Sequence, residues 1–223
     1  MTEQEDFIVT EAYTPTADEA AAIKELEDKG LVPDDWDSGK NGIKSFKKNF
    51  RRYMYNNQNK LCAYCRIHVP ICCDPMHREH IVYKSEHPQW MYLPQNLCLA
   101  CATCNEYKGT IEVLCNPRVK TYPKKGNGFK IIHPLYDRYS EHIELVGDIL
   151  YRAKTEKGLF TIKTCHLDRV ELAEERVDNK RKEEGDIYGC IVGLLSVSEQ
   201  YVDDNEYFKK YVIDIVREYK ERN

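Results

Sequence analysis

Leu61-Cys62-Ala63-Tyr64-Cys65, Arg78-Glu79-His80-Ile81 and Cys101-Ala102-Thr103-Cys104-Asn105 are the three parts of the stretch that decides this fold, Leu61 to Lys108. A Cys-x-x-Cys turn lets two thiolates converge on one ion, and two such turns complete a tetrahedral four-sulfur shell with zinc–sulfur distances of about 2.3 Å. A closed shell of this kind staples a fold rather than performing chemistry. Glu79, His80 and Asn105 are then free for other work. Cys98-Leu-Ala-Cys101 has the same spacing, but Cys98 follows Asn96-Leu97 in an apolar, strand-like run and reads as packed. Cys62, Cys65, Cys101 and Cys104 are therefore the expected structural zinc ligands. Cys72, Cys73, Cys115, Cys165 and Cys190 lack paired spacing and read as buried or unreactive, with Cys72 and Cys73 a minor alternative because they sit close to the turns.

The chain of 223 residues is long enough for one or two domains with a core. Its first residues, MTEQEDFIVT, lack the basic and apolar regions of a secretory leader. No apolar run approaches the roughly 18 residues of a membrane span. With that background the 10 cysteines indicate metal binding rather than a disulfide framework, and a reducing, cytoplasmic location without membrane contact is expected. The net charge of −4 conceals an asymmetry. Residues 1–37 carry 12 acids and 2 bases, residues 38–140 carry 17 bases and 6 acids, and residues 141–223 carry 14 bases and 19 acids. A basic middle that coincides with the cysteine turns suits a polyanion, because phosphate contacts supply most sequence-independent nucleic-acid affinity.

Ahead of the turns, residues 1–15 read as an extended lead-in. Ala17 to Lys29 reads as a helix, with Thr16 as N-cap and Gly30 at its stop. Pro33 to Asp37 reads as a turn. Ile43, Phe46, Phe50 and Met54 recur at steps of three to four within Lys40–Asn57, an amphipathic helix whose other faces carry Lys44, Lys47, Lys48, Arg51 and Arg52. This helix is either an ordinary surface element or one that tracks phosphates. Val113 to Tyr136 is acid-free, marked as loop by Pro117, Pro123, Gly126 and Gly128, and is either a connector or a second nucleic-acid contact. Beyond it, Ile149–Tyr151 and Leu159–Ile162 read as short strands joined by a turn at Glu156–Gly158. Helices are expected over Asp168 to about Glu184, Ile187–Leu195 and Ser198–Glu221.

From Cys62 to Gly109 the order Cys-x-x-Cys, Glu-His, Asn, Cys-x-x-Cys-Asn, Lys-Gly resembles the zinc-containing HNH (ββα-metal) endonucleases. Weaker similarity, through His133-Pro-Leu-Tyr-Asp137 and Lys157-Gly-x-x-Thr161-Ile162, is to HNH proteins of bacterial anti-phage defence that act with an ATPase. The resemblance implies an α+β fold: a small ββα core stapled by zinc, with mostly helical extensions. It implies His80 as general base, since an imidazole titrates near neutrality, and Asn96 as the residue that orients the histidine loop. Glu79 and Asn105 would hold a catalytic Mg²⁺ or Mn²⁺, whose hard-oxygen preference they match. Glu79 departs from the aspartate of many relatives. Lys84, Lys108, Lys47, Lys48, Arg51 and Arg52 are the candidate substrate contacts. The expected organisation is an acidic segment over 1–39 with one helix, an HNH module over 40–140, and strands then helices over 141–223. DNA is expected in preference to RNA as substrate.

Two other classes compete. A non-catalytic zinc module binding nucleic acid or a protein would need the cysteines and the basic surface but not Glu79-His80 and Asn105. A redox protein would use Cys62 and Cys65 directly.

Overall fold

The computed structural model describes residue 2, residues 5–69 and residues 76–184, the side chains of 180–184 excepted. The helices expected over 187–195 and 198–221, and Cys72, Cys73 and Cys190, lie outside the described residues. The rest is α+β: helices around two small antiparallel hairpins.

Helix α1, Ala17–Glu27, begins where expected. The Thr16 hydroxyl accepts from the Glu19 amide and the Glu19 carboxylate accepts from the Thr16 amide, a capping box. Glu19 is fully buried and also accepts from Tyr13, Ser45 and Asn49, so α1 is fastened to the next helix through one carboxylate. That helix, α2 (Asn41–Asn57), buries Ile43, Phe46, Phe50 and Met54 completely. Between the two, Pro33–Asp37 forms a turn of 3₁₀ helix with Trp36 turned inward.

Strand β1 (His77–His80) pairs antiparallel with β2 (Leu97–Ala100), Glu79 opposite Cys98 and His80 opposite Leu97. Helix α3 (Ala102–Lys108) follows directly and completes a ββα unit. Strand β2 is buried at every position. Its free edge is closed by a side chain: fully buried Gln58, just past α2, accepts from the Leu99 amide at 2.8 Å and donates to the Leu99 carbonyl at 2.9 Å. Gln58 therefore bonds β2 much as a neighbouring strand would.

Helix α4 (Tyr139–His142) is one turn long, and β3 (Ile143–Val146) pairs with β4 (Leu150–Ala153) across a turn where Gly147 and Asp148 have positive φ. The strand expected at Leu159–Ile162 is instead part of helix α5, Glu156–Thr164, and the expected turn at Glu156–Gly158 is its first turn. The Thr155 hydroxyl caps it by accepting from the Gly158 amide. Gly158 is required for a different reason than a turn: a Cβ there would lie 2.0 Å from the His142 carbonyl oxygen. Helix α6, Val170–Glu184, buries Leu172 and Val177, while Val170 is only partly covered.

Within the expected lead-in, residues 5–13 form a strap held to the rest of the chain. Phe7 and Val9 are buried, the Asp6 carboxylate accepts from Ser140 and Arg138, and Glu5 pairs with Arg176 at 2.8 Å. The two weaker segments of family resemblance meet one another: Lys157 pairs with Asp137 at 2.8 Å and the Ile132 amide donates to Thr161. In the same region His133 is fully buried, its Nδ1 accepting from the Leu135 amide and its Nε2 donating to Tyr122, whose hydroxyl donates to the Gln95 carbonyl. Burial lowers this imidazole to about 3, and protonating Nδ1 would oppose the Leu135 N–H. Because the folded value lies below the ordinary one near 6.5, the contribution to stability is present above that pH and is lost as pH falls through it toward 3. Urea unfolding at pH 7 and pH 5 should show a loss from this group of about 2 kcal/mol, and His133→Gln should remove that share of the pH dependence.

Candidate functional site

The two Cys-x-x-Cys turns converge. The sulfurs of Cys62, Cys65, Cys101 and Cys104 lie within 4.8 Å of one another, and Cys65 Sγ is 3.9 Å from Cys101 Sγ. A zinc–sulfur tetrahedron has edges of about 3.8 Å, so the donor set fits zinc in a structural shell. Amides point at the sulfurs as they do at thiolates: Cys101 N–H on Cys62 Sγ at 3.3 Å and Cys104 N–H on Cys101 Sγ at 3.4 Å. The latter contact also caps α3. Cys98 stays packed inside β2, as its run suggested, and Cys165 is buried, whereas Cys115 is exposed rather than covered.

Beside this cluster Glu79 is buried and pairs with Lys108 at 2.5 Å. Lys108 is fully buried and also donates to the His80 carbonyl at 2.9 Å. The expectation that Lys108 faces a substrate phosphate does not hold, since its ammonium is consumed inside the ββα unit. Burial raises the Glu79 carboxyl above its ordinary value, against the opposing pull of Lys108. Asn105, at the middle of α3, is directed elsewhere: its Nδ2 lies 3.1 Å from His77 Nδ1 on the rim of the hairpin.

Successive residues of a strand face opposite sides, so His80 leaves Glu79 behind. Its ring is nearly covered, with Nε2 3.1 Å from the Met91 carbonyl. A carbonyl only accepts, so Nε2 carries the proton and Nδ1 holds the lone pair. Burial lowers the imidazole to about 3. Asn96, fully buried, clamps the following loop by accepting from the Val82 amide at 2.7 Å and donating to the Val82 and Trp90 carbonyls.

The basic candidates divide. Lys48 and Arg52 are exposed and Arg51 is partly exposed on the outer faces of α2. Lys47 and Lys84 are near His80, but each is engaged, Lys47 by the Trp36 carbonyl and Lys84 by the Pro33 carbonyl. Sequence reasoning passed over Trp36, whose ring meets that of His80 edge-on at 4.5 Å between centroids; an indole inside an otherwise acidic turn was the available signal. It also passed over two arginines behind the cysteines. Arg176 donates to the Cys65 carbonyl at 2.8 Å, and Arg66 lies between the rings of Phe7 and Tyr139. The three guanidinium nitrogens of Arg66 have no hydrogen-bond partner among the described residues.

Fold and cluster together define an α+β chain with a four-cysteine site compatible with structural zinc. No family model matches the sequence. Over 113 residues the chain is 28% identical to Septu protein PtuB of Bacillus thuringiensis, a match spanning 51% of this chain and 38% of that protein. The chain thus aligns with well under half the length of that relative. No helix among the described residues is long and apolar enough to cross a membrane.

Purified chain should carry about one zinc per molecule by elemental analysis, and Cys104→Ser should lose the zinc and melt at least about 10 °C lower. Lys108→Met, which strands a buried carboxylate, should cost about 3–5 kcal/mol in denaturant unfolding. Adding Glu79→Gln to it should recover part of that loss.

Proposed function

We propose that this chain is an HNH-type endonuclease that hydrolyses phosphodiester bonds, with His80 as general base. The observation that supports this best is the orientation of the His80 ring: Nε2 is fixed to the Met91 carbonyl and the Nδ1 lone pair is left to take a proton from water, while burial under Trp36 holds the basicity of the ring low in this arrangement. Asn96 serves as the positioning residue, holding the loop that carries Met91 and the backbone around Val82. Lys84 and Lys47 stand where phosphate oxygens would be held, and Lys48, Arg51 and Arg52 extend that basic surface along α2. Zinc at the four cysteines is the staple of the module.

The resemblance assigns a catalytic Mg²⁺ or Mn²⁺ to Glu79 and Asn105; such an ion would neutralise charge developing at the scissile phosphate. As folded, this donor set does not fit an ion. Glu79 is buried against Lys108 and Asn105 is turned to His77. The chemistry carried by this chain's residues is therefore that of His80 and the lysines about it.

Similarity to Septu protein PtuB and the HNH resemblance support a role in bacterial anti-phage defence, beside an ATPase partner, with DNA as the preferred nucleic acid. The covering of His80 by Trp36 favours a second reading, a zinc module that binds nucleic acid or a protein without cutting it.

Cleavage of plasmid DNA and of RNA in Mg²⁺ or Mn²⁺, with and without the ATPase, separates the two. On the nuclease reading His80→Ala loses at least about a hundred-fold in cleavage rate while keeping its zinc and a cooperative unfolding transition. Wild-type chain that stays inert under every one of these conditions sinks the nuclease reading.

A further inference from the structure

The 3₁₀ turn Pro33-Asp34-Asp35-Trp36-Asp37 does not merely pass over β1. Three of its five backbone oxygens are taken up by side-chain donors placed around His80. The Pro33 carbonyl accepts from Lys84 Nζ at 2.9 Å, the Asp35 carbonyl from the Tyr92 hydroxyl, and the Trp36 carbonyl from Lys47 Nζ at 2.7 Å. The Asp37 carboxylate lies 3.4 Å from the same Lys47 ammonium. Between these contacts the Trp36 ring sits against His80 and Tyr92, with Lys47 Nζ 4.7 Å above its centre.

Ammonium and hydroxyl donors are the groups that hold phosphate and sugar oxygens of nucleic acid, and aromatic side chains in a basic groove are what its bases pack against. The turn offers that groove the same chemistry in cis: a run of acceptor oxygens, three carboxylates, one planar ring and no cation. Nothing in the packing of an ordinary surface turn asks two lysines and a tyrosine to converge on three carbonyls of one five-residue segment.

We infer that the groove of Lys47, Lys84, Tyr92 and His80 is a nucleic-acid strand site that residues 33–37 occupy as an internal competitor, so that a strand enters by displacing Trp36. The consequence for catalysis rests on the nuclease reading; the binding step does not. An internal competitor lowers apparent affinity by the fraction of molecules in which it is released. It also gives the acidic segment a position and an opponent: its charge weakens phosphate binding while it is docked and is lost from the groove when it leaves.

The test uses the full chain with zinc bound, in EDTA-free buffer without Mg²⁺ or Mn²⁺, and a labelled DNA oligonucleotide of about 20 nucleotides, single-stranded and duplex. Hydrogen exchange of the peptide covering residues 31–40 should rise several-fold on saturation with the oligonucleotide, while α1 stays protected. Asp34→Asn/Asp37→Asn, at two exposed positions, should bind about ten-fold tighter by fluorescence anisotropy. Asp18→Asn/Glu27→Gln, an equal charge change on exposed positions of α1, should bind less than about two-fold tighter. Trp36→Phe keeps an aromatic ring in the groove and should stay close to wild type.

An oligonucleotide that binds while residues 31–40 exchange as before, or more slowly, overturns the inference. So does equal tightening by the two double variants, or failure of the chain and of Asp34→Asn/Asp37→Asn to bind at all. Release on binding without any cleavage when Mg²⁺ is added leaves this inference standing and removes the nuclease reading. Cleavage without release does the reverse.

Discussion

The convergence of four sulfurs from turns 35 residues apart is the constraint on which the rest depends. It brings the start of α3 against the loop after α2, and β2 has no other route between them. With β2 fixed, Gln58 and the Ala63 amide close one of its edges and β1 pairs along the other. Only in that arrangement does Glu79 of β1 reach Lys108 at the far end of α3. A zinc ion with four thiolates carries a formal charge of about −2, and the protein sets cations behind it. Arg66 is fully buried, with the electrostatic pull of Cys62 and Asp6 favouring its charge and aromatic faces on both sides. A guanidinium is weakly hydrated and stacks well, so this site suits it better than an ammonium.

The adjacency of Glu79 and His80 in sequence suggests one catalytic cluster. The strand separates them: one side chain faces α3 and the cysteines, the other α2 and Trp36. Any chemistry that uses both groups has to reach around the hairpin or bend β1. The carboxylate is the less available of the two, because leaving Lys108 would strand a buried ammonium as well as free a carboxylate.

Much of the frame was legible because its signals are local. Thr16 and Glu19 announce the start of α1, four apolar residues at helical spacing announce α2, and paired cysteines announce their own convergence. Helix α5 was not legible, for a physical reason. Lys157-Gly158 has the look of a turn and Leu159–Ile162 the look of a strand, but the glycine answers a close approach by the His142 carbonyl, which is a tertiary fact. The Glu79–Lys108 pair was hidden similarly. Each residue alone reads as a polar group available to solvent or substrate, and nothing within a few positions of Lys108 says that it is enclosed. The docking of Trp36 on His80, 44 positions apart in the sequence numbering, leaves no periodic trace either.

The strap formed by residues 5–13 has a bearing on how the chain comes to be folded at all. Glu5 and Arg176 are 171 positions apart, and Arg176 also holds the Cys65 carbonyl and the Tyr151 hydroxyl. A ribosome delivers Glu5 long before its partner, so the helices and cysteine turns are made while the strap still hangs free. Contacts of such long sequence separation form late. A segment made long before α6 is thus among the last to be locked, and its closure reports that α6 has arrived.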